Sequence, residues 1–218
     1  MNRQSGFTLI EIAIVLVVVG LLLGGVLKGQ ELINNAKVRN TISKMDELKA
    51  AVFGFQDRYN VLPGDSSTAA TVVGGVAVNC VTSCNNGQIN PWRNTSLVTN
   101  HLSAAGFYTG NFATAEINAA PTTLNAPSNP WGGAMFIAFW NQFNVNGGNS
   151  SVSANGIYSG IGIPSTALAE IDRKIDDGFP QSGTFRSGWP RLATAGCVNG
   201  NAWVVTNGRS DCTGVNLY

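Results

Sequence analysis

The chain has 218 residues, with 13 basic and 12 acidic side chains for a formal charge of +1, and only 11% of its residues are charged. A typical globular domain carries about 25%. So sparse and balanced a charge supplies no global attraction to nucleic acid or anionic lipid. The 26 glycines, with many Asn, Ser and Thr, fit a loop-rich domain outside the cytosol better than a cytosolic enzyme. The length suits one ordinary domain plus an anchor.

The chain begins with a polar leader, MNRQSG, at residues 1–6. Residues 7–27 are then apolar except for Thr8, a few glycines and one carboxylate, Glu11. About twenty apolar residues in a helix span the roughly 30 Å of a bilayer core. A carboxylate at the centre of such a helix costs about 2.5–3.5 kcal/mol on insertion scales, and less near its end, where Glu11 sits. That cost implies a partner, yet no Lys, Arg or His lies between Arg3 and Lys28. Gly25-Val26-Leu27-Lys28 provides no small-x-small cleavage site, so the apolar run is expected to stay on the chain. Lys28, Lys37, Arg39 and Lys44 outweigh Arg3 and the initial amine, so the positive-inside count does not place the N-terminus in the cytoplasm.

Gly6-Phe7-Thr8-Leu9-Ile10-Glu11 followed by an apolar run resembles the class III signal of type IV prepilins and type II secretion pseudopilins. The resemblance covers residues 1–65. It implies cleavage after Gly6 by a prepilin peptidase, N-methylation of Phe7 by the same enzyme, and a role for Glu11 in assembly. In that role Glu11 pairs with the terminal amine of a neighbouring subunit. Loss of residues 1–6 removes Arg3, leaving 12 basic and 12 acidic side chains. The implied partners are further copies in a helical filament, the peptidase/N-methyltransferase, an inner-membrane assembly platform, and membrane lipid before assembly. The implied location is the bacterial inner membrane for the precursor, then an extracellular pilus or periplasmic pseudopilus. The leader motif and the cysteines together put the C-terminal domain outside.

From Lys28 the pattern turns periodic. Leu32, Ile42, Met45, Leu48, Val52, Phe55 and Tyr59 recur at helical spacing with charges between them, and no proline interrupts residues 7–62. One helix is therefore predicted over residues 7–62, lipid-facing first and then amphipathic. Where many type IV pilins have a proline, this chain has Lys28, leaving Gly20, Gly24 and Gly25 as the weak points. Asn60-Val61-Leu62-Pro63-Gly64-Asp65 ends the helix. The Tyr-Asn-x-Leu-Pro-Gly-Asp junction resembles a group of prepilin-like proteins.

Beyond it, residues 72–78 read as a short strand, 96–105 as a helix capped by Asn94 or Thr95 and stopped by Gly106, and 110–130 as a surface loop. Residues 134–140 and 156–163 read as a hairpin. Residues 165–176 read as a helix with Leu168, Ile171 and Ile175 on its apolar stripe and Glu170 spaced to pair with Lys174. Residues 202–206 read as a last strand. The predicted division is leader (1–6), transmembrane and assembly helix (7–62) and extracytoplasmic head (63–218). The predicted fold is α+β, a long N-terminal α-helix packed on a small antiparallel sheet.

Four cysteines behind a membrane-targeting segment point to disulfides. Cys80, Cys84, Cys197 and Cys212 allow three pairings. The resemblance favours a C-terminal Cys197–Cys212 loop, which leaves Cys80 with Cys84. The competing reading of Cys80-x-x-x-Cys84 as a metal site lacks nearby histidines. His101, the single histidine, stands alone in a predicted helix, and no G-x-S-x-G or H-E-x-x-H motif is present. Neither enzymatic activity nor a cofactor is expected. Asp172, Asp176 and Asp177 are weak calcium candidates, since major pseudopilins bind calcium in their C-terminal loops. Their spacing is not that of an EF-hand, and Arg173 and Lys174 lie among them, so a helix end with Asp-Gly turn chemistry is preferred. Trp92, Trp131, Trp140, Trp189 and Trp203 with dispersed arginines could form a DNA-stacking face, but core packing is the more common use, and nucleic acid is not an expected partner. Asn94-Thr95-Ser96 and Asn149-Ser150-Ser151 match glycosylation acceptors.

Overall fold

The computed structural model describes residues 8–73, 77–91, 94–110, 112, 121–140, 153–188, 194–206 and 208–218. Helix α1 runs Leu9–Tyr59. Two compact units divide within it: one ends at Lys37, the other comprises Val38–Tyr218. In the first unit the large apolar side chains from Leu9 to Ile33 are exposed. This stretch is long and apolar enough to cross a membrane by length and composition.

In the second unit α1 buries Val38, Thr41, Met45, Leu48, Ala51, Val52 and Phe55, one stripe at helical spacing. The expected stripe began too early, at Leu32, which is exposed and belongs to the first unit, whereas burial starts at Val38. The helix also ends three residues before residue 62. Asn60 takes the left-handed conformation (φ 55°) and its N–H bonds Gln56 O at 2.8 Å, which closes the last turn. Gly64 (φ 83°) then brings the backbone against the segment that holds Val98, where an added Cβ would meet Val98 Cγ2 at 2.6 Å.

Residues 69–72 form a short helix, α2 (Ala69–Val72), rather than the start of a strand; 74–76 lie outside the described residues. Helix α3 is Thr95–Ala104, stopped by Gly106 (φ 76°). Asn94 occupies its N-cap position without a side-chain cap bond. Strands β1 (Phe136–Trp140) and β2 (Ala154–Tyr158) pair antiparallel, with Ile137 opposite Ile157. Helix α4 (Ser165–Ile175) buries Leu168 and Ile171, packs Ile175 against the same core, and pairs Lys174 with Glu170.

Strand β3 (Phe185–Gly188), the one-turn helix α5 (Thr194–Cys197), the small ladder of β4 (Val198–Asn199) with β5 (Ala202–Trp203), and β6 (Thr213–Leu217) complete the chain. The strand expected over 202–206 is only β5, and β3 and β6 were not anticipated. The main sheet is antiparallel in the order β1-β2-β6-β3, so the C-terminal strand lies between β2 and β3. Its Gly214 is required there, since a Cβ would meet the Phe185 ring at 2.0 Å.

One sheet face contributes Ile137, Ile157 and Phe185 to the core that includes Met45, Leu48, Val52 and Phe55 of α1. On the opposite face Ala138, Tyr158 and Val215 form a second cluster, with the Phe136 and Tyr158 rings stacked at 4.6 Å. A long, initially apolar helix followed by a four-stranded antiparallel sheet is an α+β, pilin-like architecture.

Candidate functional site

Glu11 has a partner that a search for cations does not find. Thr8 stands just before α1, at the N-cap position, with Glu11 three residues on. The Thr8 N–H and Oγ1 both donate to Glu11 Oε2 at 2.8 Å, and the Glu11 N–H approaches Thr8 Oγ1 at 3.4 Å. This reciprocal capping box satisfies backbone donors that the helix start leaves open, and a cap of this kind is worth about 1 kcal/mol. It also sets a negative charge against the positive end of the helix dipole. The signal was the spacing Thr8-x-x-Glu11. The box orients the carboxylate and supplies two donors, but its formal charge stays uncompensated, because threonine brings none. Gly6 and Phe7 lie outside the described residues.

Cys80 is bonded to Cys84 and Cys197 to Cys212, each with Cα atoms 5.9 Å apart. Sulfurs joined in this way offer no thiolate to a metal. The second bridge encloses β4 and β5.

His101 is fully buried in α3. Its Nδ1 accepts the Gly64 N–H at 2.9 Å, so Nε2 carries the proton and donates to Val78 O at 2.6 Å. The imidazole ties the Pro63-Gly64-Asp65 turn to the segment before the first disulfide and stacks on Phe55. It is a structural residue. Burial lowers its pKa from the ordinary value near 6.5, opposed by the bond to Val78. The unfolded chain therefore takes up the proton first. The stability that the neutral ring confers is full above about pH 6.5 and is lost as pH falls through the lower folded value. An NMR titration of this single histidine is expected to give a midpoint below 6.5; a midpoint at or above 6.5 would contradict the buried neutral assignment.

Asp172, Asp176 and Asp177 gather at the end of α4, their carboxylate oxygens within 4.8 Å of one another. That is close enough for a shared cation, yet all six oxygens already accept hydrogen bonds. Asp172, fully buried, receives the Gly178 N–H (3.1 Å) and the Trp203 indole N–H (2.6 Å). Asp176 receives the Asp177 N–H, the Thr184 N–H and hydroxyl, and the Phe185 N–H. Asp177 receives the Phe179 N–H and the Ser182 hydroxyl. Burial first, and then Asp176, push the Asp172 carboxyl up to about 7, whereas hydrogen bonds hold Asp176 low. The trio thus knots the end of α4 to the start of β3 and to the C-terminal disulfide loop. These bonds are those of a helix end followed by an Asp-Gly turn.

Trp203 is committed to Asp172, Arg186 Nε donates to Gly183 O, and Arg209 is paired with Asp211. Among the described residues these groups do not form a nucleic-acid stacking face; Trp92, Arg93, Trp189 and Arg191 lie outside the described residues. Asn94 is buried, its amide donating to Ser83 O, so this acceptor is closed to a glycosyl transferase. Asn149 lies outside the described residues.

The family described as the Prokaryotic N-terminal methylation motif matches residues 1–27. That motif is the class III signal of type IV pilins and pseudopilins. No curated protein and no solved structure matches the chain. The match, the apolar helix and the α+β head are features of a pilin-like or pseudopilin class of structural protein anchored in a membrane.

Proposed function

We propose that the protein is the structural subunit of a type IV pilus-like filament, made as a membrane-inserted precursor and polymerised through α1. The observation that carries this reading is the methylation motif over residues 1–27, whose apolar run, residues 7–27, holds a single carboxylate, Glu11. Residues 1–6 are the leader, 7–62 the transmembrane and assembly helix, and 63–218 the extracytoplasmic head. Prepilin peptidase cuts between Gly6 and Phe7, and the same enzyme methylates the new terminus. Methylation leaves that amine basic. Glu11, oriented by Thr8 in the precursor, then pairs with the Phe7 amine of a neighbouring copy at the base of the growing filament, above an inner-membrane platform. As the subunit leaves the bilayer, neighbouring helices take the place of lipid around α1.

A type II secretion pseudopilus uses the same steps and is the second reading. The Cys197–Cys212 loop and the large, varied head favour the pilus.

Mass spectrometry of material sheared from native cells tests the proposal. An abundant N-methylated Phe7 terminus in the sheared fraction is expected. The same terminus confined to the cell envelope would shift the assignment to a pseudopilin or minor subunit. An intact Met1 terminus, with the peptidase present, would instead indicate a tethered domain that never polymerises.

A further inference from the structure

The turn that ends α1 holds a carboxylate oxygen with no partner. Asp65 is 3% exposed. Its Oδ2 accepts the Asn86 and Gly87 N–H groups at 2.9 and 2.7 Å, and its main-chain oxygen accepts the Asn85 N–H at 2.7 Å. Its Oδ1 is buried without a hydrogen bond. Among the described residues, no Lys, Arg or His nitrogen pairs with this carboxylate. Burial raises the Asp65 carboxyl above its ordinary range, opposed by the bonds from Gly87, Asn86 and Asn85. An ionised carboxyl in that state is costly, because burial removes water and nothing on this oxygen replaces it.

Asp65 lines a groove of about 460 Å³ between the end of α1 and the loop after the first disulfide, within the unit Val38–Tyr218. Gln56 and Asn60 line it too, and their carboxamides make no hydrogen bond among the described residues. The Asn60 N–H bonds Gln56 O, but the main-chain oxygens of Asp57, Arg58 and Tyr59 have no donor among the described residues. Such open carbonyls form the negative end of a helix dipole. Arg58, the nearest cation in the sequence, is turned to the Tyr59 ring at 5.3 Å, and His101 uses Nδ1 to accept the Gly64 N–H. The groove therefore gathers oxygens and negative charge without a counter-charge.

Its far wall is fixed in advance. The Asn85 side chain accepts the Ser67 N–H at 3.2 Å and donates to Ser67 Oγ at 2.7 Å. Gly87 O accepts the Asn155 side-chain amide at 3.0 Å. A site ordered beforehand loses less conformational freedom on binding.

We propose that this groove binds a hard divalent cation, calcium, on Asp65 Oδ1 at the end of α1. Calcium takes about 6–8 oxygens in irregular geometry, from carboxylate, carboxamide and main-chain carbonyl groups and from water. Asp65 supplies the charge, Gln56 and Asn60 supply amide oxygens, and water completes the shell. Magnesium fits less well, since it demands near-octahedral geometry and gives up water reluctantly. An anion meets only like charge. A single carboxylate places the affinity in the weak extracellular class, with dissociation constants of about 10⁻⁴–10⁻³ M. The site is separate from Asp172, Asp176 and Asp177, whose carboxylate oxygens are already engaged. Once occupied, it ties the end of α1 to the loop after the first disulfide, whether or not the chain polymerises.

The test titrates calcium chloride into the chelator-stripped full chain in a non-ionic detergent, followed by amide NMR. Sodium chloride at about 0.15 M screens exposed carboxylates. The Asn86 and Gly87 amides, bonded to Asp65, are expected to shift together and to saturate with a Kd of about 10⁻⁴–10⁻³ M. Asp65→Asn keeps an oxygen for those two N–H groups but removes the charge, and is expected to weaken binding at least about tenfold. Asn60→Gly suits the left-handed backbone there (φ 55°) and removes only the carboxamide; a loss of about threefold is expected. Asp177→Asn, in the other acidic group, is expected to leave the titration unchanged. Absence of any shift at about 10 mM calcium, well above the weakest expected Kd, overturns the proposal. So does an affinity untouched by both Asp65→Asn and Asn60→Gly, or one lost with Asp177→Asn. An unprocessed N-terminus would overturn the filament reading and leave this result standing.

Discussion

Glu11→Ala is expected to lower the yield of sheared filaments by at least about tenfold while the head unfolds at its normal temperature. In the proposed filament the Glu11 carboxylate faces the amine of a neighbour in a core of packed apolar helices. Removing one member of such a buried pair leaves the other charge uncompensated, at a cost of about 3–5 kcal/mol, and about 1.4 kcal/mol already corresponds to tenfold. The same substitution removes the charge that burdens α1 in lipid, so the variant should accumulate in the inner membrane. Head stability should not change, because Glu11 belongs to the unit ending at Lys37. Thr8→Val separates capping from pairing: it breaks the capping box, worth about 1 kcal/mol, but keeps the carboxylate, so it should reduce assembly less than Glu11→Ala does. Normal filament yield from Glu11→Ala would sink the assembly role.

Replacing both Cys197 and Cys212 by alanine is expected to destabilise the head by about 3 kcal/mol, the loop-closure value for a span of 15 residues. For a unit of this size that is a fall of about 6–12 °C in Tm. The bridge ties the end of α5, just before β4, to the residue before β6, the strand on which both β2 and β3 pair. It also confines Trp203, whose indole bonds the buried Asp172. Loosening the loop therefore releases a buried carboxyl as well as a chain crossing. The Cys80–Cys84 span of four residues should matter less to global stability. Thermal melts of the full chain in detergent, with and without the substitutions, provide the measurement. An unchanged Tm would mean that the C-terminal strand holds its place without the covalent tie.

The contrast between α1 and β6 shows where sequence reading succeeds. The α1 stripe from Met45 to Phe55 could be read because helical periodicity is local, and its burial follows directly. Strand β6 is Thr-Gly-Val-Asn-Leu, in which the strand formers Thr213 and Val215 alternate with Gly214 and Asn216, residue types depleted in strands. It is a strand because β2 and β3 pair with its two edges, a tertiary condition that outweighs weak propensity. Residues 72–78 erred the other way: β-branched valines suggested a strand, but among the described residues no strand adjoins Val72, which ends a helical turn. The Glu11 partner was legible in the spacing Thr8-x-x-Glu11, but a hydroxyl and a backbone N–H carry no charge and so escape a search for cations.

By itself, the sequence determined an apolar segment long enough to cross a membrane, the methylation motif over residues 1–27, and the amphipathic course of the first helix. All of these depend on hydropathy and spacing within a few turns of chain. Only the tertiary structure decided what the head's polar residues do. His101 meets Gly64 and Val78, Asp172 meets Trp203, and Asp65 accepts the Asn86 and Gly87 N–H groups of the loop after the first disulfide. The physical reason is desolvation: a buried polar group must find a hydrogen-bonding partner, and which one it finds depends on long-range packing.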